Sequence, residues 1–118
     1  MKKYSQTHEW VEIEGEIASI GISQNAQILL GTIAFVELPP VGTEVKQGEA
    51  LGVIESVKSA SDFYAPLSGV VVEVNEDLVA YPEALNGQAE YHWLVKLKYQ
   101  AAEEVASLLS ETAYAAAL

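Results

Sequence analysis

The chain has 118 residues and a mass of 12.7 kDa, the size of one small domain. Six Lys, no Arg, 15 Glu and 2 Asp give a formal net charge of −11, which argues against nucleic acid or phosphate as a partner. There is no Cys, which excludes disulfides, iron–sulfur ligation, thiolate zinc and Cys nucleophiles, and no apolar run is long enough for a membrane-spanning helix.

Taken in chain order, Glu9–Glu14 and Glu16–Ser23 alternate as strands around Glu14-Gly15, where Gly supplies the positive φ of a tight hairpin. Ser23 is placed to cap a short helix over 24–30, with Ala26, Leu29 and Leu30 turned inward and Gly31 ending it. Thr32–Leu38 is a β-branched and apolar strand stopped by Pro39-Pro40. From Val41 to Val74, strands are broken by Gly42, Gly48, Gly52, Pro66 and Gly69, the punctuation of a compact antiparallel β fold. Pro82–Leu85 reads as one helical turn. Glu90–Tyr99 reads as a strand with Trp93, Val95, Leu97 and Tyr99 on one face. An amphipathic helix is predicted over 101–118, with a break near Ser110; Val105, Leu108, Leu109 and Thr112 form its apolar stripe.

A weak internal repeat aligns Gly42–Leu51 with Gly69–Leu78 and sets Gly48 opposite Asn75, two residues that tolerate left-handed backbone. It implies two small sheets related by a pseudo-two-fold. Within this region, strand-like residues run from about 51 to 66 and turn at Val57-Lys58-Ser59, which puts Lys58 at a hairpin tip. A lone Lys at a tip ordinarily serves solubility and edge protection; a protruding amine is also what an acylating enzyme needs to reach. His8 has no Ser or Cys nucleophile frame around it, so it is read as structural, and Trp10 and Trp93 are read as core aromatics.

Glu55-Ser56-Val57-Lys58-Ser59-Ala60-Ser61-Asp62, followed by Ala65-Pro66-Leu67-Ser68-Gly69, resembles the lipoylation site of the glycine cleavage system H proteins. His8-Glu9-Trp10-Val11, Gly21-Ile22-Ser23, Ala26-Gln27, Leu30-Gly31, Phe35-Val36-Glu37-Leu38-Pro39 and Trp93-Leu94-Val95-Lys96-Leu97 are similar to family positions in the same order. The resemblance covers nearly the whole chain. It implies a mainly β, lipoyl-domain-like barrel-sandwich hybrid of two small antiparallel sheets, spanning 1–118 as one domain. It further implies a non-catalytic carrier with lipoate in amide linkage on Lys58, Glu55 and Ser56 in recognition of the attachment site, and Thr7, Glu9 and Asp62 in a cleft for the loaded arm. A lipoyl-lysine would reach on the order of 15 Å at standard bond lengths.

The partners so implied are a pyridoxal-phosphate-dependent glycine decarboxylase (the P protein), an aminomethyltransferase (the T protein), a dihydrolipoamide dehydrogenase (the L protein), and the lipoate ligase or lipoyl/octanoyl transferase that loads Lys58. In the family an aminomethyl group is passed along on the arm, and tethering holds it at high effective concentration for each enzyme. The N-terminal residues carry charge without a following apolar segment, so a cytoplasmic bacterial setting is expected. Three departures stand out: Thr32 where an acidic residue usually follows Gly31, a shortened 87–92 segment with no Gly beside Trp93, and an Ala-rich tail in a chain without Arg. These keep a second reading open, an H-like lipoyl donor or relay acting outside glycine cleavage. A biotinyl domain would frame the Lys with Met, and Val57 and Ser59 do not.

Overall fold

The computed structural model describes residues 2–118. All strand pairings are antiparallel, and they form two sheets of unequal size. The smaller is three-stranded, ordered β4 (Ile33–Glu37), β6 (Ala50–Ser56), β7 (Ala60–Tyr64). The larger has seven strands in the order β10 (Leu109–Ser110), β1 (Lys2–Tyr4), β2 (Glu9–Glu14), β3 (Ile17–Ile22), β9 (Val95–Tyr99), β8 (Gly69–Val74), β5 (Glu44–Val45). Val11, Ile20, Val71 and Leu97 of the large sheet and Val36, Ile54 and Phe63 of the small one meet in a single core. Ala18, Ile20 and Ile22 on β3 and Val95 and Leu97 on β9 keep the period-two spacing of a half-buried strand, whereas register irregularities in β4 and β6 set Ile33/Val36 and Leu51/Ile54 three apart.

The β2–β3 hairpin closes at Gly15, whose φ of 62° is the left-handed value that favours Gly. Ser23 caps α1 (Gln24–Leu30), its Oγ accepting the Ala26 N–H at 3.1 Å, and Gly31 ends the helix with φ 91°. The inward face of α1 differs from the predicted one. Gln27 is the buried residue, Ala26 and Leu30 are half-buried, and Leu29 is 66% exposed. Gln27 goes inside because both ends of its amide are bonded there, as described below.

Asn75 is not left-handed, as its match to Gly48 suggested. Its φ is −89°, and it opens a helix that the sequence reading did not contain, α2 (Glu76–Ala80). Pro82–Leu85 is a 3₁₀ turn, as expected.

The strand expected over Glu90–Tyr99 begins only at Val95; Ala89–Tyr91 is a 3₁₀ turn instead. Distant partners hold it there. The Ala89 carbonyl accepts the Trp10 indole N–H at 3.1 Å, and the Glu90 carboxylate accepts the Tyr4 hydroxyl at 2.6 Å and the Gln24 N–H at 2.9 Å. His92 is extended at φ −128°, so the segment reaches Trp93 without needing Gly beside it.

The helix expected over 101–118 is two helices, α3 (Ala102–Ala106) and α4 (Glu111–Ala117), separated by β10, which pairs with β1. The break falls at Ser110, whose Oγ caps α4 by accepting the Ala113 N–H. Val105 and Leu108 rest on the main core, while Leu109 joins a second cluster of Tyr4, Trp10 and Tyr114. Tyr114 stacks on Tyr4 at 4.4 Å between centroids, and its hydroxyl bonds Ser23 Oγ at 2.7 Å and His8 Nδ1 at 2.6 Å. The C-terminal helix thus holds His8 in place although His8 carries a φ of 74°.

Candidate functional site

The β6–β7 hairpin turns at Val57-Lys58-Ser59, with Glu55 paired to Ala60. Ser56 organises the turn. Its backbone N–H donates to the Ser59 carbonyl at 2.7 Å, and its Oγ accepts the N–H groups of Lys58 and Ser59, both at 3.1 Å. The side chain of Ser56 therefore does locally what a backbone turn bond would do. Val57, Lys58 and Ser59 are exposed, and the Lys58 ammonium has no ion-pair partner among the described residues.

The Lys58 stem crosses Gly31. A Cβ built on Gly31 would stand 3.0 Å from Lys58 Cε, closer than side chains ordinarily pack. Gly31 thus meets two demands at once, a left-handed backbone and an open track for the lysine.

Beside this track lies a cleft of about 160 Å³ lined by Thr7, His8, Glu9, Ala26, Leu29, Leu30, Ile54, Ser61, Asp62 and Phe63, among others. That volume suits the end of a tethered chain rather than a free drug-sized ligand. Thr7 and Glu9 from the N-terminal segment and Asp62 from β7, more than fifty residues on, line this one cleft. Glu55 and Ser56 frame the tip from the other strand.

Glu9 behaves differently from a solvated strand residue. It is only 2% exposed. Its Oε1 accepts the hydroxyls of Ser5 (2.6 Å) and Thr7, and its Oε2 accepts the Tyr64 N–H at 3.1 Å. Burial pushes the Glu9 carboxyl above the ordinary carboxylate range, and these donors pull it part of the way back. Asp62 is the opposite case, exposed on β7 with no side-chain partner among the described residues.

The raised pKa of Glu9 has a stability consequence. Between the carboxylate value of the unfolded chain and the higher folded value, the native state holds more protons than the unfolded state. Stability therefore falls as pH rises through that window, and the loss is complete above the folded pKa. Glu9→Gln should remove this component. The stability difference between variant and wild type, from urea midpoints between pH 4 and 8, is expected to move in favour of Gln as pH rises; a difference that is flat in pH would contradict the burial effect.

The sequence reading missed the apolar half of the cleft. Leu29, expected to turn inward, stands exposed at the cleft wall. The usable signal was the pair Ile28-Leu29, since a short helix cannot bury three successive apolar residues on one face.

Two packed β sheets with an exposed lysine on an ordered hairpin, a Cβ-free track beneath it and a small cleft alongside form an architecture suited to carrying a tethered group. Residues 2–118 match the family model described as glycine cleavage H-protein, and the chain belongs to that family. The glycine cleavage system H protein of Thermotoga maritima is 52% identical over 115 residues, which cover 97% of this chain and 93% of the relative. That of Alkaliphilus oremlandii is 52% identical over 112 residues, covering 95% and 88%. The crystal structure of a glycine cleavage system H protein from Mycobacterium marinum superposes with a TM-score of 0.88 at 36% identity, covering 98% of this chain and 94% of that one.

Proposed function

We propose that the chain, acting as one domain, is the lipoyl carrier of a glycine cleavage system and that Lys58 is its attachment site. The observation that carries this reading is the Lys58 stem lying over Gly31 beside a cleft that combines apolar walls with two carboxylates. The site fits a lipoyl amide. Acylation removes the ammonium charge, which no neighbouring carboxylate holds, and the arm continues over a glycine that offers it no steric bar. When bound, the dithiolane would supply a sulfur–sulfur bond that opens reductively to accept an aminomethyl group on one sulfur and, once that group is passed on, a dithiol for a partner to reoxidise.

This chain's own residues do the rest. Ser56 holds the tip in one conformation for the attaching enzyme, which reads Glu55 and Ser56 as it approaches. Ile54, Phe63, Leu29 and Leu30 offer an apolar wall to the arm. Glu9 and Asp62 attract a cationic cargo, and the closed side of the cleft limits water at it. The partners under this reading are the decarboxylase, the aminomethyltransferase, the dihydrolipoamide dehydrogenase and a lipoate ligase or transferase. A cytoplasmic setting goes with them; among the described residues no helix is long and apolar enough to cross a membrane.

The relatives' names support this carrier over the relay alternative. The deciding measurement is glycine–bicarbonate exchange with a glycine decarboxylase. The lipoylated chain should support exchange that saturates with carrier concentration, and the unlipoylated chain should not. Failure of a fully lipoylated chain would return the relay reading to first place.

A further inference from the structure

Two residues, Gln27 of the Ala26-Gln27 motif and Asn86, have no part in the site so far. Gln27 is 7% exposed. Its Nε2 donates to the Gly31 carbonyl at 3.0 Å, its backbone carbonyl accepts the Gly31 N–H at 3.0 Å, and its Oε1 accepts the Gly87 N–H at 3.0 Å. Both polar groups of Gly31 are thereby fixed by one residue. Two residues on, the Ile33 N–H donates to Asn86 Oδ1 at 2.8 Å. Between these anchors Thr32 offers its carbonyl outward, and the Val57 N–H of the hairpin tip donates to it at 3.0 Å.

The order of bonds is informative. Residues 86 and 87 hold positions 31 and 33 from inside, and position 32 holds the tip. We propose that Gln27 and Asn86 form a brace that fixes the Lys58 tip over Gly31, so that both are positioning residues for acylation of the lysine. The inference rests on the reading of Lys58 as the attachment site.

The brace also stops short of most of the 87–92 segment. Asn86 and Gly87 supply the contacts to the brace, and residues 88–92 are held by Tyr4, Trp10 and Gln24 instead. Of the shortened 87–92 segment only Gly87 meets the brace, through its backbone N–H. Likewise Thr32 acts through its backbone carbonyl, so its side-chain identity is free.

A hairpin tip has few long-range contacts of its own. Beyond the β6–β7 ladder and the β4–β6 ladder, which ends at Ile33–Ser56, the Val57–Thr32 bond is the one backbone bond among the described residues that ties the tip to the rest of the chain. Losing the anchors on either side of Thr32 leaves that bond on a mobile partner, and an attaching enzyme then meets a spread of lysine positions rather than one.

The test pairs Asn86→Leu, which deletes the acceptor, with Asn86→Asp, which keeps an oxygen for the Ile33 N–H; Gln27→Met is the companion. Two quantities are read. One is hydrogen exchange of the Val57 amide in the unlipoylated chain. The other is the initial rate of Lys58 lipoylation by a lipoate ligase with lipoate and ATP, separated into kcat and KM. Asn86→Leu and Gln27→Met should each raise Val57 exchange roughly tenfold. They should lower lipoylation kcat/KM by roughly tenfold as well. Asn86→Asp should restore both.

Val105→Ala, on the far side of the core, controls for general destabilisation: it should lower the melting temperature without either effect. Val57 exchange and lipoylation that stay at wild-type values in Asn86→Leu and Gln27→Met would overturn the brace, as would an equal loss in Val105→Ala. Failure of the wild-type chain to be lipoylated would overturn the carrier reading instead, and the Val57 exchange would still decide the mechanical coupling.

Discussion

Lys58→Arg is expected to leave the fold unchanged and to abolish acylation completely. The substitution keeps the stem length and the positive charge, so neither the hairpin nor the track over Gly31 is disturbed. A guanidinium stays protonated and delocalised at any working pH and offers no amine nucleophile. Intact mass after treatment with a lipoate ligase should show one lipoyl increment on the wild type and none on the variant, with superimposable melting curves. The strength of the test lies in the competing lysines. Lys46 and Lys98 are also exposed, so an enzyme that reads exposure alone would acylate them. Lys46 stands outside any such hairpin tip, and Lys98 lies within β9, 3.9 Å from Glu16. A lipoyl increment on either, in the Lys58→Arg variant, would sink the assignment.

The parts of this molecule legible in the sequence are those governed by neighbours. The Glu14-Gly15 turn, the Ser23 cap, the Pro39-Pro40 stop and the Lys58 tip each follow from a few adjacent residues, and each occurs in the structure. The misread start of β9 and the split of the C-terminal helix share one cause, partners distant in sequence. Trp93, Val95, Leu97 and Tyr99 alternate like a strand from Glu90 onward. Trp10 and Tyr4, some eighty residues earlier, pull Ala89 and Glu90 out of line. The C-terminal stripe is helical in spacing, but β1 needs an edge partner, and Leu109-Ser110 supply it. Glu9 looks solvated because its burial depends on Tyr64 as well as on the Ser5 and Thr7 hydroxyls.

Gly21 shows the same limit from another side. It reads as an ordinary strand residue, yet a Cβ there would stand 2.5 Å from the Trp10 ring, so the indole occupies the space. Within the site, the polar residues were legible through their resemblance to a family motif. The apolar wall and the brace were not, since Leu29, Gln27 and Asn86 acquire their roles only once α1, the 86–87 turn and the hairpin tip meet.

The second large effect concerns the loaded arm. If Glu9 and Asp62 guard a cationic aminomethyl cargo, Glu9→Gln and Asp62→Asn should both hasten its loss while leaving lipoylation intact, and the structure separates them. Asp62 is exposed, so its attraction is screened; its effect should be small, a few-fold or about 1 kcal/mol at most, and should fade in high salt. Glu9 sits in a low-dielectric wall, with Oε1 taken by two hydroxyls and Oε2 by one backbone N–H. Oε2 thus keeps room for one further donor.

A charge-assisted bond from the cargo to that oxygen is worth about 1.5–3 kcal/mol, so removing the charge should speed escape roughly tenfold or more, with little dependence on salt. The raised pKa of Glu9 adds a further signature. Protonation at low pH silences Glu9 in the wild type, so the wild type and Glu9→Gln should converge in release rate as pH falls toward the folded pKa. The measurement is formaldehyde and ammonia release from the loaded, isolated carrier, followed at two salt concentrations and across pH. Equal rates for all three proteins at neutral pH would show that neither carboxylate guards the arm. A Glu9→Gln effect that vanishes in salt would place its contact at the surface, contrary to the buried geometry seen here.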